Sequence, residues 1–194
     1  HEPKERPVSS SLAICEDPQV NAVVGSAGWK LPNGTWKYKI NTSSSPVAGL
    51  TTIVSNSFST WTDAISSSSK PNLVSDGTTT KTRNALDYEN IITWGRTNGS
   101  ALGVTYVWDY TATKLVADVD TIMNKKFPWS LSCSSTSYNA EDILVHELGH
   151  WFGLNDEYDS AHVDDTMYGY GSKAETKKIT PENGDKTGIN LIYP

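Results

Sequence analysis

The stretch "HELGHWFGLND", residues 146–156, decides how the rest of the chain is read. On an α-helix the side chains of His146 and His150 leave the same face one turn apart, so two imidazoles can reach one point. That spacing suits a single zinc ion, whose bonds to histidine nitrogen are about 2.0–2.1 Å. Glu147 is rotated off that face, beside the ion, where it can hydrogen-bond a water without becoming a ligand. A catalytic zinc takes three protein ligands and keeps a position open. Gly153, three residues past His150, can take the left-handed conformation that ends a helix and turns the chain. Asp156, three further on, then returns to the ion as third ligand. A bare HExxH arises by chance in roughly one chain in a hundred of this size. The longer pattern is much rarer, and here it holds two of only four histidines.

Working back from the motif, Asn139 can cap the helix with Asp142 at its third position. Ile143, Leu144, Leu148, Trp151 and Phe152 supply its buried face. Further upstream, "TWKYKI" alternates Trp36, Tyr38 and Ile40 with Lys37 and Lys39, the pattern of a half-buried strand. The spacing of Val47, Leu50, Val54, Phe58, Trp61 and Ile65 predicts an amphipathic helix with Ser45 as N-cap and Pro46 at its first position. Residues 66–90 read as loop with a short strand through Leu73 and Val74. "NIITWG", "ALGVTYVW" and "KLVADVD" read as further strands, the last two joined by a turn at Tyr110 to Thr113. Past Gly153 only the segment from Thr180 looks helical, with Thr180 as N-cap and Pro181 at the first position. The expected fold is α+β. A twisted mixed sheet of about five strands carries a long helix and a second helix bearing the histidines, with a small C-terminal lobe ending in a helix. Residues 1–30 are expected as an extended N-terminal arm. Residues 31–194 are expected as a single domain with an upper lobe, 31–153, and a lower lobe, 154–194.

The 194 residues are 37% hydrophobic and 20% charged, an ordinary globular composition. A net charge of -6 argues against a nucleic-acid partner, because phosphate-backbone affinity needs clustered Lys and Arg. No apolar run approaches the roughly 20 residues that cross a bilayer, so no membrane partner is expected. The chain starts without Met and without an apolar signal core, which reads as a processed chain whose targeting segment, if any, has been removed. Cys15 and Cys133 are the only cysteines, and an even count fits one disulfide formed outside the cytosol. In the chain-entropy picture such a bridge contributes about 4–5 kcal/mol. The competing reading makes Cys15 a thiolate that caps a zinc, but "AICEDP" lacks the Arg before and the Gly after that such a latency segment would carry. Asn33, Asn41 and Asn98 head glycosylation sequons.

Residues 146–156 resemble the extended zinc signature of the metzincin endopeptidases, with Asp156 where most members have a third His. Snapalysin-like metzincins are similar in using Asp there. "DTMYGY" resembles the family's Met-turn, which implies that Met167 forms an apolar base beneath the zinc. The layout from "WKYKI" through "ADVDTIMN" to "ITPENGDKTGINLIYP" resembles the matrixin catalytic domain over residues 30–194. The resemblance implies a secreted, monomeric zinc endopeptidase acting on protein or peptide substrates. Peptide bonds would be hydrolysed by a zinc-bound water, with Glu147 as general base. It also implies that Tyr170 can donate a hydrogen bond to the oxyanion, as in astacins and serralysins; otherwise Tyr170 is an aromatic lining the lower lobe. The loop "WGRTNGSALG" lacks the histidines of a structural zinc site, so none is expected there. Ca²⁺ could bind Asp and loop carbonyls. Substrate is expected to pair with a strand edge at Gly103 to Tyr106. Lys173, Lys177 and Lys178 either favour acidic substrates or form a solvated face.

Two other readings stand beside this one. The chain could be a binding module on the same scaffold, although Glu147 has no use there. It could also be a zinc hydrolase whose third ligand is Glu175, Glu157, Asp159 or His162, the last expected on a surface loop.

Overall fold

A computed structural model describes residues 15–194 together with the backbone of strand β1 (Lys4–Glu5). The remainder of the expected N-terminal arm, residues 1–3 and 6–14, lies outside the described residues. From residue 15 to β2 (Gly34–Ile40) the chain runs without regular elements, making isolated bridges from Ser26 to Leu154 and from Lys30 to Leu115. In β2 the alternation holds: Tyr38 and Ile40 are buried, Trp36 is half-buried and Lys37 points outward.

Helix α1 (Leu50–Ala64) starts later than the spacing predicts. Ser45 does not cap it; its Oγ accepts the Val47 N–H at 3.2 Å and donates to the Val47 carbonyl at 2.9 Å, closing a tight turn around Pro46. Gly49, at φ 73°, then supplies the left-handed step before the first helical residue. The predicted stripe is otherwise correct: Leu50, Val54, Phe58, Trp61 and Ile65 are buried, joined by Ile53. β3 (Pro71–Thr78) is longer than the short strand expected inside a loop. Its residues are mostly exposed and include Asp76 and Gly77, so local propensity is weak. Parallel pairing with β2 from Gly34–Pro71 onward holds it extended instead.

β4 (Ile91–Gly95) is buried throughout, and β5 (Gly103–Asp109) and β6 (Val116–Asn124) form the predicted hairpin. Together the strands make a five-stranded sheet in the order β3-β2-β4-β6-β5, parallel except for β5, which is an edge strand antiparallel to β6. Two buried carboxylates on β6 organise the loop before β4. Asp118 accepts the N–H groups of Asp87 and Tyr88, and Asp120 accepts those of Ala85 and Ile91. Each carboxyl group is thereby matched by backbone donors rather than by a counter-charge.

The short strands β7 (Trp129–Ser130) and β8 (Tyr138–Asn139) pair in parallel and lead into α2 (Ala140–Trp151). Asn139 caps α2 as expected, accepting the Asp142 N–H at 3.0 Å. α1 and α2 pack on the same core, where Phe58 meets Trp151 at 5.0 Å and the Trp61 indole N–H donates to the Val145 carbonyl at 2.7 Å. β9 (Tyr170–Gly171) pairs in parallel with β1. α3 (Asn183–Ile192) begins after Glu182 rather than Thr180, because Asp185 returns to accept the Glu182 N–H in a capping box. Asn190 ties α3 to the C-terminal end of α1 through the Ala64 carbonyl and the Ser66 N–H. Cys15 and Cys133 form a disulfide with Cα atoms 6.0 Å apart. Among the sequons, Asn33 and Asn98 are exposed, whereas Asn41 is buried and donates to the Lys81 carbonyl, which closes it to modification in the folded chain.

Candidate metal centre and active site

α2 carries His146, Glu147 and His150, all buried in its last two turns. Each imidazole is oriented through Nδ1, which faces a backbone carbonyl: Thr166 O at 2.8 Å for His146 and Leu154 O at 2.9 Å for His150. A carbonyl can only accept, so Nδ1 carries the proton and Nε2 is left as the lone-pair atom. Among the described residues the two Nε2 atoms make no hydrogen bond, and they converge on Asp156 Oδ1 at 3.0 and 3.4 Å. One donor atom from each of His146, His150 and Asp156 falls within 4.8 Å of the others. Two nitrogens and one carboxylate, buried and aimed at one point, fit the donor set of a catalytic zinc. Glu175, Glu157, Asp159 and His162 do not join this group.

At His146 and Asp156 the electrostatics agree with that geometry. Burial lowers the pKa of His146 to about 4, so the ring is neutral and able to ligate. At His150 burial acts the same way, but the charges of Asp156 and Glu147 outweigh it and raise the value. Burial also opposes ionisation of Asp156, yet the two histidines hold it well below the usual carboxylate range.

The bend that returns Asp156 to the histidines depends on Gly153. Its φ is 95°, and a Cβ there would lie 1.9 Å from the Trp29 carbonyl oxygen. The same junction is tied by the Trp29 indole N–H to the His150 carbonyl at 2.8 Å and by the Ala27 N–H to the Gly153 carbonyl at 2.8 Å. Gly153→Ala should cost about 2–3 kcal/mol from the left-handed backbone and the clash. In thermal denaturation the midpoint is expected to fall by roughly 4–12 °C; an unchanged midpoint would refute the steric argument.

Glu147 sits under edge strand β5. Its Oε2 accepts from Thr105 Oγ1 at 2.6 Å, Thr105 Oγ1 contacts Thr121 Oγ1 at 2.8 Å, and the Trp151 indole N–H donates to Thr121 Oγ1 at 2.8 Å. Because an ionised carboxylate can only accept, Thr105 donates to it and accepts from Thr121, so the series runs from Trp151 through Thr121 and Thr105 to the carboxylate. Gly103 makes room for this carboxylate: a Cβ there would meet Glu147 Oε1 at 2.7 Å. Burial raises Glu147 to about 7, against the lowering effects of His150 and Thr105.

Beneath the histidines, Met167 is fully buried, and a Cβ added at Gly149 would meet its sulfur at 2.4 Å. The methionine therefore lies directly against the backbone of α2 between the two histidines. Its loop is clamped from two sides. Asp185 accepts the N–H groups of Thr166 and Met167, and Glu182 accepts that of Thr166. Burial and the neighbouring Asp185 push the Glu182 carboxyl above the usual range, which favours its protonated form. From the other side Lys178 donates to the carbonyls of Tyr168 at 2.5 Å and Thr166 at 3.5 Å. Lys178 is fully buried, and Lys177 is nearly so and paired with Asp164 at 2.8 Å. The solvated lysine face expected from the sequence is thus corrected; only Lys173 of the three is exposed. Tyr170, half-buried in β9, packs its ring against Tyr158 and Tyr168 at 5.3 and 5.6 Å.

Fold and site together define a zincin-type catalytic domain. The matrixin family model, a peptidase family, matches residues 28–194, and the chain belongs to the matrixins, a family of zinc metallopeptidases. No curated protein matches the chain.

Proposed function

We propose that the chain is a secreted zinc endopeptidase in which His146, His150 and Asp156 hold the ion and Glu147 is the general base. The observation that carries this reading is the convergence of two lone-pair nitrogens and the Asp156 carboxylate beside a buried glutamate. A bound zinc supplies Lewis acidity to the scissile carbonyl and to the attacking water. Glu147 accepts the proton of that water on Oε1, since Oε2 already takes the Thr105 hydroxyl, and later returns it to the leaving amine. Edge strand β5 gives a peptide backbone a place to lie extended above Glu147. In this reading Tyr170, three residues past Met167, donates to the developing oxyanion.

Residues 31–194 act as one catalytic unit in this reading, divided at Gly153 into the sheet-bearing part and the lobe that carries Asp156 and Met167. Secretion is supported by the disulfide. No helix among the described residues is long and apolar enough to cross a membrane. The test is metal analysis combined with digestion of a peptide library. Cleavage should stop on chelation and return with zinc, and Asp156→Ala should lose most of the activity and most of the metal. Cleavage that survives complete zinc removal would end this reading, and unchanged zinc affinity in Asp156→Ala would remove that residue from the ligand set.

A further inference from the structure

Immediately after Asp156 the chain forms a second group of metal-type donors. Glu157 is held by backbone bonds to the Met-turn, its N–H donating to the Met167 carbonyl at 2.9 Å and its carbonyl accepting the Gly169 N–H at 2.7 Å. Its bridge to Tyr168 is strand-like, and in extended backbone neighbouring side chains point to opposite faces. Asp156 therefore faces the histidine pair while Glu157 faces away from it, toward the 3-10 turn Ser160–His162.

Three donors meet there, and each is pinned through its other polar atom. Glu157 Oε1 accepts the Gly25 N–H at 2.8 Å, leaving Oε2 directed at His162. Asp159 Oδ1 caps the turn by accepting the Ala161 N–H at 2.9 Å, leaving Oδ2. His162 is only 8% exposed, and its Nδ1 is held by the buried Asp165 carboxylate at 2.5 Å. A histidine tied to a carboxylate through Nδ1 presents Nε2 as a lone pair, the arrangement that orients metal-binding imidazoles. That Nε2 makes no hydrogen bond among the described residues; it faces Glu157 Oε2 at 3.9 Å and Asp159 Oδ2 at 4.0 Å. These separations are too long for hydrogen bonds. Two zinc–ligand bonds at a tetrahedral angle set their donor atoms about 3.4 Å apart, so the three side chains close by roughly half an ångström around an ion.

We propose that Glu157, Asp159 and His162 form a second divalent-metal site, of the zinc class rather than the calcium class because one donor is an imidazole. Asp159 is exposed and sits at the rim, so solvent reaches the ion and completes its coordination. An ion here ties the turn after Asp156 to the Met-turn and, through Gly25, to the N-terminal arm. Its role is to stiffen the bend.

The metal-stripped full chain, titrated with zinc in equilibrium dialysis, is expected to bind about two equivalents, the second more weakly. His162→Ala should bind one and still cleave peptide at saturating zinc. Asp159→Asn keeps the capping oxygen and is expected to fold normally. It should weaken the second equivalent by about 10-fold or more while leaving the first intact. On addition of the second equivalent, the His162 ring ¹⁵N signal of Nε2 should shift. Calcium at equal concentration should leave the zinc count unchanged. One equivalent in the unaltered chain, or two retained by both variants, would overturn the site. Displacement of the second zinc by calcium would overturn the assignment of ion class.

Discussion

Glu147→Gln is expected to lower kcat/KM by about two to four orders of magnitude, the usual contribution of a positioned general base. The amide keeps the length of the side chain and still has a carbonyl oxygen to accept from Thr105, so the helix, the hydroxyl series and the space left by Gly103 are undisturbed. What it loses is the ability to take a proton. Zinc content and melting temperature should therefore match those of the unaltered chain while turnover collapses. The comparison also separates an enzyme from a binding module, for which this substitution would be silent. If cleavage proceeds within a few-fold of the original rate, the base lies elsewhere.

Lys178→Met should destabilise the fold by about 3–5 kcal/mol, the cost of removing one member of a buried charge group. Burial lowers the pKa of Lys178, while Glu175 and Asp142 act to keep it charged. Without the amine, the carbonyls of Tyr168 and Thr166 lose a donor, and the buried Glu175 and Asp142 lose a cation whose charge acts on both. The Thr166 carbonyl is also the one that orients His146, so the effect reaches the metal. In thermal unfolding the midpoint should fall by roughly 6–20 °C, with weaker zinc retention. Lys173→Met, at an exposed position, is the control and should leave both unchanged. A midpoint for Lys178→Met within a degree or two of the control would show that the buried amine contributes little.

Much of this site was legible because its chemistry is local. His146, Glu147 and His150 share one helix, and Gly153 and Asp156 follow within six residues, so helical periodicity and one left-handed glycine bring them together. The strands at 34–40, 91–95, 103–109 and 116–124 were legible because burial imposes period-two or continuous apolar patterns. Helix starts were less so, since several residues near Ser45 and Thr180 could cap, and the choice fell to Gly49 and to the Asp185–Glu182 reciprocity. β3 has little apolar signal of its own and exists through pairing. Burial of Lys178 could not be read at all, because the carbonyls it binds belong to the turn around Met167. The Thr105–Thr121–Trp151 series spans three elements. Gly103 did leave a sign, since a glycine inside a strand pattern marks a close approach.

The Cys15–Cys133 bridge has a topological consequence. Its ends are 118 residues apart, and the covalent ring they close contains α1 and the entire five-stranded sheet. Every ligand of the proposed catalytic ion, the methionine beneath it and the clamp that holds that methionine lie on the open tail beyond residue 133. Cross-linking therefore restrains the unfolded scaffold, whereas the catalytic half is anchored only by packing and hydrogen bonds. The molecule joins a cyclised frame to a linear C-terminal segment, and the two are held together by the core that α1 and α2 share.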